Sequence, residues 1–205
     1  SFGALSASGA VNIALGSGSG DLTLTDIESS STFTVDGSSY GGNINVASLS
    51  ASENATFQLG SAGHFSAQEI RITDGSFVLD GANATTGLTT IQNLTAGGGV
   101  TISMGTGTGE ASLVDVTTAG QFILDAYNFA GSIDVTRLTA SGSVVVALGS
   151  AGDFSASDVD TYGSMTLDGS TAATGQITFT SVSAGENITV AMGSGMGAVH
   201  VESAQ

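Results

Sequence analysis

Apolar residues fall on alternate positions in short runs along this chain, and the runs return at fixed intervals. Val11, Ile13 and Leu15 are followed by Leu22 and Leu24, with polar residues between them. The same columns come back as Val100, Ile102 and Met104, and again as Val144, Val146 and Leu148. Interleaved runs read Phe33 and Val35, Phe122 and Leu124, then Met165 and Leu167. A spacing of two is that of a β-strand, whose successive side chains point to opposite faces.

Leu5, Leu49, Leu94, Leu138 and Val182 each open a near-copy of one unit, giving repeats 5–48, 49–93, 94–137, 138–181 and a partial 182–205. The unit is about 44 residues long, and its two halves share their apolar spacing, so the elementary period is about 22. A winding of that length cannot bury its own apolar face and needs neighbours stacked on it. The pattern therefore predicts an all-β parallel β-helix (β-solenoid) of about nine coils of roughly 22 residues, in a double-coil repeat, as a single elongated segment over 1–205. Stacked in this way, Phe33, Phe77, Phe122 and Met165 form a core ladder that alternates with the smaller Val11, Ala55, Val100 and Val144. Large and small side chains in one column fill a narrow interior without voids.

Glycine follows the last apolar residue of the strand in every first half, at Gly16, Gly60, Gly105, Gly149 and Gly193. Because glycine alone reaches positive φ cheaply, these positions are expected to mark a recurrent sharp corner. In the second halves the same corner reads Asp36-Gly37, Asp80-Gly81 and Asp168-Gly169, with Asp125-Ala126 as the exception. Asp-Gly is a strong turn pair.

Composition narrows the partners. The chain has 205 residues with no proline, compatible with strands that keep every ladder donor, and no cysteine, which removes disulfides and thiol chemistry. Eighteen acidic residues against Arg71, Arg137 and no lysine give a net charge of −16, which repels nucleic acid and anionic membrane surfaces. No apolar run approaches the roughly 20 residues of a membrane helix, so membrane insertion is not expected. The chain starts at Ser1 and stops halfway through a repeat, without a capping helix, and reads as part of a larger chain or of an end-to-end assembly.

The aspartates raise the question of metal. GSGSGDLTL from Gly16 resembles the calcium-binding nonapeptide of the repeats-in-toxin family, in which loop carbonyls and Asp side chains of adjacent turns share each ion. The resemblance covers nine residues. It departs from the family at Thr23, where a bulky apolar residue belongs, and in recurring every 44 residues rather than every nine. What it implies is possible calcium at Asp21, Asp36, Asp80, Asp125, Asp153 and Asp168, although no cofactor is required for the fold. The competing reading of these aspartates is an Asx turn.

Catalysis is not expected. The parallel β-helix polysaccharide lyases gather carboxylates with Lys or Arg on one face, whereas this chain has no lysine and its two arginines stand in separate repeats. His64 and His200 lack a matching nucleophile motif. An ice-binding face would need a regular hydroxyl grid. The outward row Thr23, Asn45, Ser66, Thr90, Ser112, Asp134, Ser155 and Thr178 mixes charged, bulky and small side chains instead. Asn54, Asn83, Asn93 and Asn187 each open an Asn-x-Thr glycosylation acceptor.

In its wealth of Gly, Ser, Thr, Ala, Asn and Asp, its lack of cysteine and its degenerate coils, the whole chain is similar to the repeat regions of bacterial surface-layer proteins and large secreted adhesins. That resemblance implies an extracellular bacterial location and a structural role as a fibre, stalk or lattice element that associates with itself. The first alternative is an adhesin passenger that recognises a glycan or a host surface on one flat face, with Tyr40, Tyr127, Phe129 and Tyr162 as the candidate aromatics, and the second, less favoured, is an ice-binding solenoid.

Overall fold

A computed structural model describes residues 1–61, 63–85, 87–149, 152–171, 175–194 and 198–205. Its regular elements are all strands. In chain order they are β1 (Phe2–Ala7), β2 (Val11–Ala14), β3 (Leu22–Ser29), β4 (Phe33–Asp36), β5 (Ile44–Ala51), β6 (Ala55–Gln58) and β7 (Phe65–Ile72). Then come β8 (Phe77–Gly81), β9 (Thr89–Ala96), β10 (Val100–Met104), β11 (Glu110–Thr118), β12 (Phe122–Ala126) and β13 (Ser132–Ala140). The series closes with β14 (Val144–Leu148), β15 (Phe154–Thr161), β16 (Met165–Gly169), β17 (Ile177–Ala184), β18 (Ile188–Met192) and β19 (Val199–Ala204).

The odd-numbered strands form one ten-stranded sheet and the even-numbered strands one nine-stranded sheet, both parallel and both stacked in chain order. Each coil contributes one strand to each sheet, and the molecule is a β-solenoid of about nine turns at roughly 22-residue spacing. A parallel sheet normally needs a long crossover to return the chain; here the opposite sheet is the crossover, so every connection is a short corner.

The register is the one that sequence periodicity implies. In the nine-stranded sheet a single inward column runs Val11, Phe33, Ala55, Phe77, Val100, Phe122, Val144, Met165 and Ile188. Volume is compensated inside each strand. Where this column narrows to Ala55, the next inward residue is Phe57, whose ring lies 5.6 Å from Phe33 and 6.0 Å from Phe77. Across the interior Phe57 meets Phe65 edge-on at 5.0 Å, and Phe65 is followed on its own strand by the small Ala67. Phe154 and Ala156 repeat that pairing, and Phe154 leans on Phe179 at 5.6 Å. Edge-to-face and tilted packing of this kind suits the aromatic quadrupole.

The strands of the ten-stranded sheet are not straight. In β3 Leu22 and Leu24 point inward, Thr25 and Asp26 are both exposed, and Ile27 and Ser29 point inward again. The same two-residue break in alternation recurs in β7 and β9. Ladder pairing skips one position there in every strand, so the sheet bends along a line and offers two faces instead of one. This phase shift places Leu5, Ile27, Leu49, Ile70 and Leu94 in one column past the bend. Simple alternation, read from Leu22 and Leu24 onward, does not anticipate it.

Hydroxyls enter the interior only where a carbonyl awaits them. Ser29 Oγ donates to the carbonyls of Gly9 and Thr32, each at 3.0 Å. Thr118 and Thr161, at the same position two and one double-coils apart, donate to Gly98 and Gly142. Among the described residues no buried side-chain polar atom lacks a partner, as a dry interior requires.

Candidate functional site

Two corners join the sheets in each coil, and the longer one, from each even strand to the next odd strand, is built by two devices. The corner after the even strands carries the Asp pairs. The backbone N–H two residues on donates to the aspartate Oδ1 at Asp36 (3.1 Å, from Ser38), Asp80 (3.1 Å, from Ala82), Asp125 (3.1 Å, from Tyr127) and Asp168 (2.9 Å, from Ser170). These are four Asx turns, and Asp125 makes one although alanine follows it. Ser38 Oγ also donates to Asp36 at 2.7 Å. The hydroxyl and N–H of Ser38 hold the Asp36 carboxyl below its ordinary value, and Ser170 does the same for Asp168.

In register these aspartates alternate with other residues, in the order Ala14, Asp36, Gln58, Asp80, Ser103, Asp125, Ala147 and Asp168. They therefore stand two rungs apart, about 10 Å. Asp21 and Asp153 stand at the far end of that connection, just before an odd strand, where Asp21 accepts from Asn43 Nδ2 at 2.9 Å and Asp153 from the Gln176 N–H at 2.9 Å. The structure thus brings no two of the six calcium candidates onto adjacent rungs of one row. Among the described residues no group of three or more acidic or His side chains converges.

The corner glycines act through space, not through φ. None of Gly16, Gly60, Gly105 and Gly149 has positive φ, contrary to the expectation from sequence. A Cβ at position 60 would lie 2.1 Å from the Tyr40 carbonyl oxygen, and one at position 105 would lie 2.0 Å from that of Ala84. At Gly149 the distance to the Tyr127 oxygen would be 1.1 Å. Gly16, in the first coil, meets nothing within 4 Å. Gly193 follows β18 at the equivalent place. The Asx turns of Asp36, Asp80 and Asp125 press their carbonyls onto the coil above, and only glycine leaves room for them.

The far end of this same connection, where it enters the odd strand, holds a second glycine ladder that the 44-residue reading does not reveal. Gly20, Gly42, Gly63, Gly87, Gly109, Gly131, Gly152 and Gly175 each stand two residues before the first inward residue of an odd strand. A Cβ at Gly42, Gly131 or Gly152 would come within 1.9 Å of the carbonyl oxygen of the ladder glycine one coil below. Here positive φ does occur, at Gly152 and Gly175. The signal was present in the sequence as a glycine every coil rather than every second coil. Beside this ladder runs a polar staple: Asn43 Oδ1 accepts from the His64 N–H at 3.3 Å, and His64 Nδ1 accepts from the Leu88 N–H at 2.7 Å. His64 is thereby a structural residue. His200 stands 3.7 Å from Glu202 on the last strand.

The aromatic candidates divide. Tyr40 is half-buried, with its hydroxyl donating to the Gly20 carbonyl, and Phe129 is buried in the core. Tyr127 and Tyr162 are 52% and 75% exposed.

The outward rows of the ten-stranded sheet differ in character. The row before the bend reads Thr23, Asn45, Ser66, Thr90, Ser112, Asp134, Ser155, Thr178 and His200, as mixed as the sequence suggests. At the bend Arg137 pairs with Asp115 through both carboxylate oxygens, which lowers the Asp115 pKa. Past the bend, Arg71, Thr95, Thr117, Thr139 and Asp160 occupy successive rungs. Beside them the next row runs Thr73, Gly97, Ala119, Ser141 and Tyr162. The small residues of that second row leave a groove of about 260 Å³ walled by the threonines. Sequence reading missed this site. Its signal was the Thr that follows the apolar residue of each successive coil in Leu94-Thr95, Val116-Thr117 and Leu138-Thr139.

No protein-family model matches the chain, and neither the curated proteins nor the solved structures hold a significant match to it. The class defined by fold and surface is therefore the β-solenoid itself.

Proposed function

We propose that this chain is an extracellular structural protein of the bacterial surface, forming a fibre, stalk or lattice element by β-solenoid stacking. The observation that carries this reading is continuity: both ladders and the column from Val11 to Ile188 pass through every coil without a missing rung. A repeat stack of this kind gains length by adding coils, each stabilised by its neighbours. Its side chains are spent on corners and core. The aspartates make turns, the buried hydroxyls cap carbonyls, and His64 staples one corner.

Composition supports the location. A cysteine-free, proline-free chain of charge −16 stays hydrated and repels its like laterally at low salt. Self-association then favours the axial direction, along which each coil already buries its neighbour's apolar face.

Electron microscopy of the native assembly, with and without a calcium chelator, tests the reading. Filaments, stalks or sheets with an axial rung of about 4.8 Å that persist in chelator support it. Collapse on chelation turns the reading towards a calcium-bridged assembly, and native material consisting of dispersed short particles overturns it.

A further inference from the structure

We infer that the threonine groove past the bend is a binding site for a neutral, linear glycan lying along the stack axis. Four features of one face point to it. Thr95, Thr117 and Thr139 are exposed and repeat on consecutive rungs, so three identical hydroxyls stand about 4.8 Å apart. A pyranose residue in an extended chain advances by close to one such rung, which lets each sugar meet the same donor and acceptor.

The floor is made by Gly97 and Ala119, whose small size lets a ring sit low between the rows. Tyr162 occupies the rung next to Ser141 on the floor row and is 75% exposed, more than any other large apolar side chain described. An exposed phenol ring at the end of a hydroxyl-lined groove offers a stacking face for the apolar side of a sugar. The two ends supply complementary hydrogen bonding. Arg71, which makes no ion pair among the described residues, provides donors at one end, and the carboxylate of Asp160 accepts at the other. From Arg71 to Asp160 is four rungs, about 19 Å, the length of four or five sugar units.

The same features argue against two other occupants. A peptide strand has no edge to join, because the backbone beneath the groove is already paired on both sides. An acidic polymer meets a molecule of charge −16 with Asp160 at one end of the row and Glu28 beyond Arg71 at the other. A neutral polyol uses the donors of Arg71 and the acceptors of Asp160 without that repulsion. This inference is independent of the scaffold reading, since a filament with or without a glycan on its flank remains a filament.

Titration calorimetry and saturation-transfer NMR on the full chain, with hexasaccharides of β-1,4-glucose, β-1,4-mannose and α-1,4-glucose and with hexagalacturonate as the acidic probe, decide it. Expected is binding of at least one neutral hexamer, with the disaccharide about tenfold weaker. Tyr162→Ala should weaken the hexamer about tenfold and Thr117→Val severalfold, while Tyr127→Ala, on a different corner, leaves it unchanged. Both altered groove side chains are exposed, and unchanged thermal melts confirm that the variants fold. Failure of every neutral hexamer to bind overturns the inference. So does binding that survives both groove substitutions, or tighter binding of the acidic probe.

Discussion

Gly149 passes so close over Tyr127 that a Cβ on the glycine would sit 1.1 Å from the tyrosine carbonyl oxygen. The two belong to one device. The Asp125 side chain turns the chain and presents that carbonyl upward, and the coil above must carry glycine to accept it. An Asx turn below and a glycine above alternate up this corner, which is why the sequence repeats every two coils although the backbone repeats every one. Gly149→Ala should therefore destabilise the protein by at least about 3 kcal/mol, because backbone on both sides would have to move. Gly16→Ala, with open space and no positive φ, should be neutral or stabilise by up to about 1 kcal/mol. Urea denaturation of the two variants gives the comparison, and equal effects would refute it.

Phe57 fills the space that Ala55 leaves between Phe33 and Phe77. Phe57→Ala should cost about 3–5 kcal/mol, as for other fully buried aromatics. A double variant, Ala55→Phe with Phe57→Ala, keeps the total volume and should recover part of the loss. Denaturant midpoints of single and double variants measure the recovery, and strict additivity would show that the two positions do not share one space.

Thr118 is buried and its hydroxyl donates to Gly98 O while accepting from the Gly120 N–H at 3.2 Å. Thr118→Val preserves shape and removes both hydrogen bonds, so a loss of about 1–3 kcal/mol is expected, whereas Thr118→Ser should retain most of the stability. Thermal denaturation ranks the two, and a valine variant as stable as wild type would refute the role.

Three carboxyls carry the acid sensitivity that can be assigned. Asp115 is lowered by its hydrogen bond to Arg137, and Asp36 and Asp168 by Ser38 and Ser170. A folded-state pKa below the unfolded one adds stability that is complete above the unfolded value and is lost as pH falls through the folded value. Their contribution is thus present at pH 7 and disappears below about pH 4. Carboxyl NMR titration should show Asp115 returning upward to the ordinary aspartate range in Arg137→Gln, with Asp36 and Asp168 unmoved. No change at Asp115 would sink the assignment.

Much of the architecture was legible because it is written in side-chain period. Val11 with Phe33 and Phe122 with Val144 could be paired from spacing alone, since a slip of one residue would turn every apolar side chain outward. What escaped depends on space between coils. The bend at Thr25 and Asp26 breaks alternation for only two residues, too few to register as a period. The reason for Gly60 and Gly105 is a carbonyl that belongs to the preceding coil, invisible within their own. The compensation of Ala55 by Phe57 lies within one strand, but Phe57 fills its space against Phe65 of the facing sheet. The Asx turn at Asp125, one of the two readings its sequence offered, is closed by the Tyr127 N–H although alanine follows it. The groove escaped for a related reason: its threonines are ordinary one by one, and become a site only when Gly97 and Ala119 set them beside an empty floor.

Because the strands run across the stack, their hydrogen bonds point along it. A pull on the two ends loads those bonds one layer at a time, so the rod yields by peeling from its tips while the middle stays wound. A sideways blow meets whole layers, every rung bonded above and below. Such a stack resists bending far better than it resists being unreeled, and the outermost windings, with bonds on one side only, set its tensile limit.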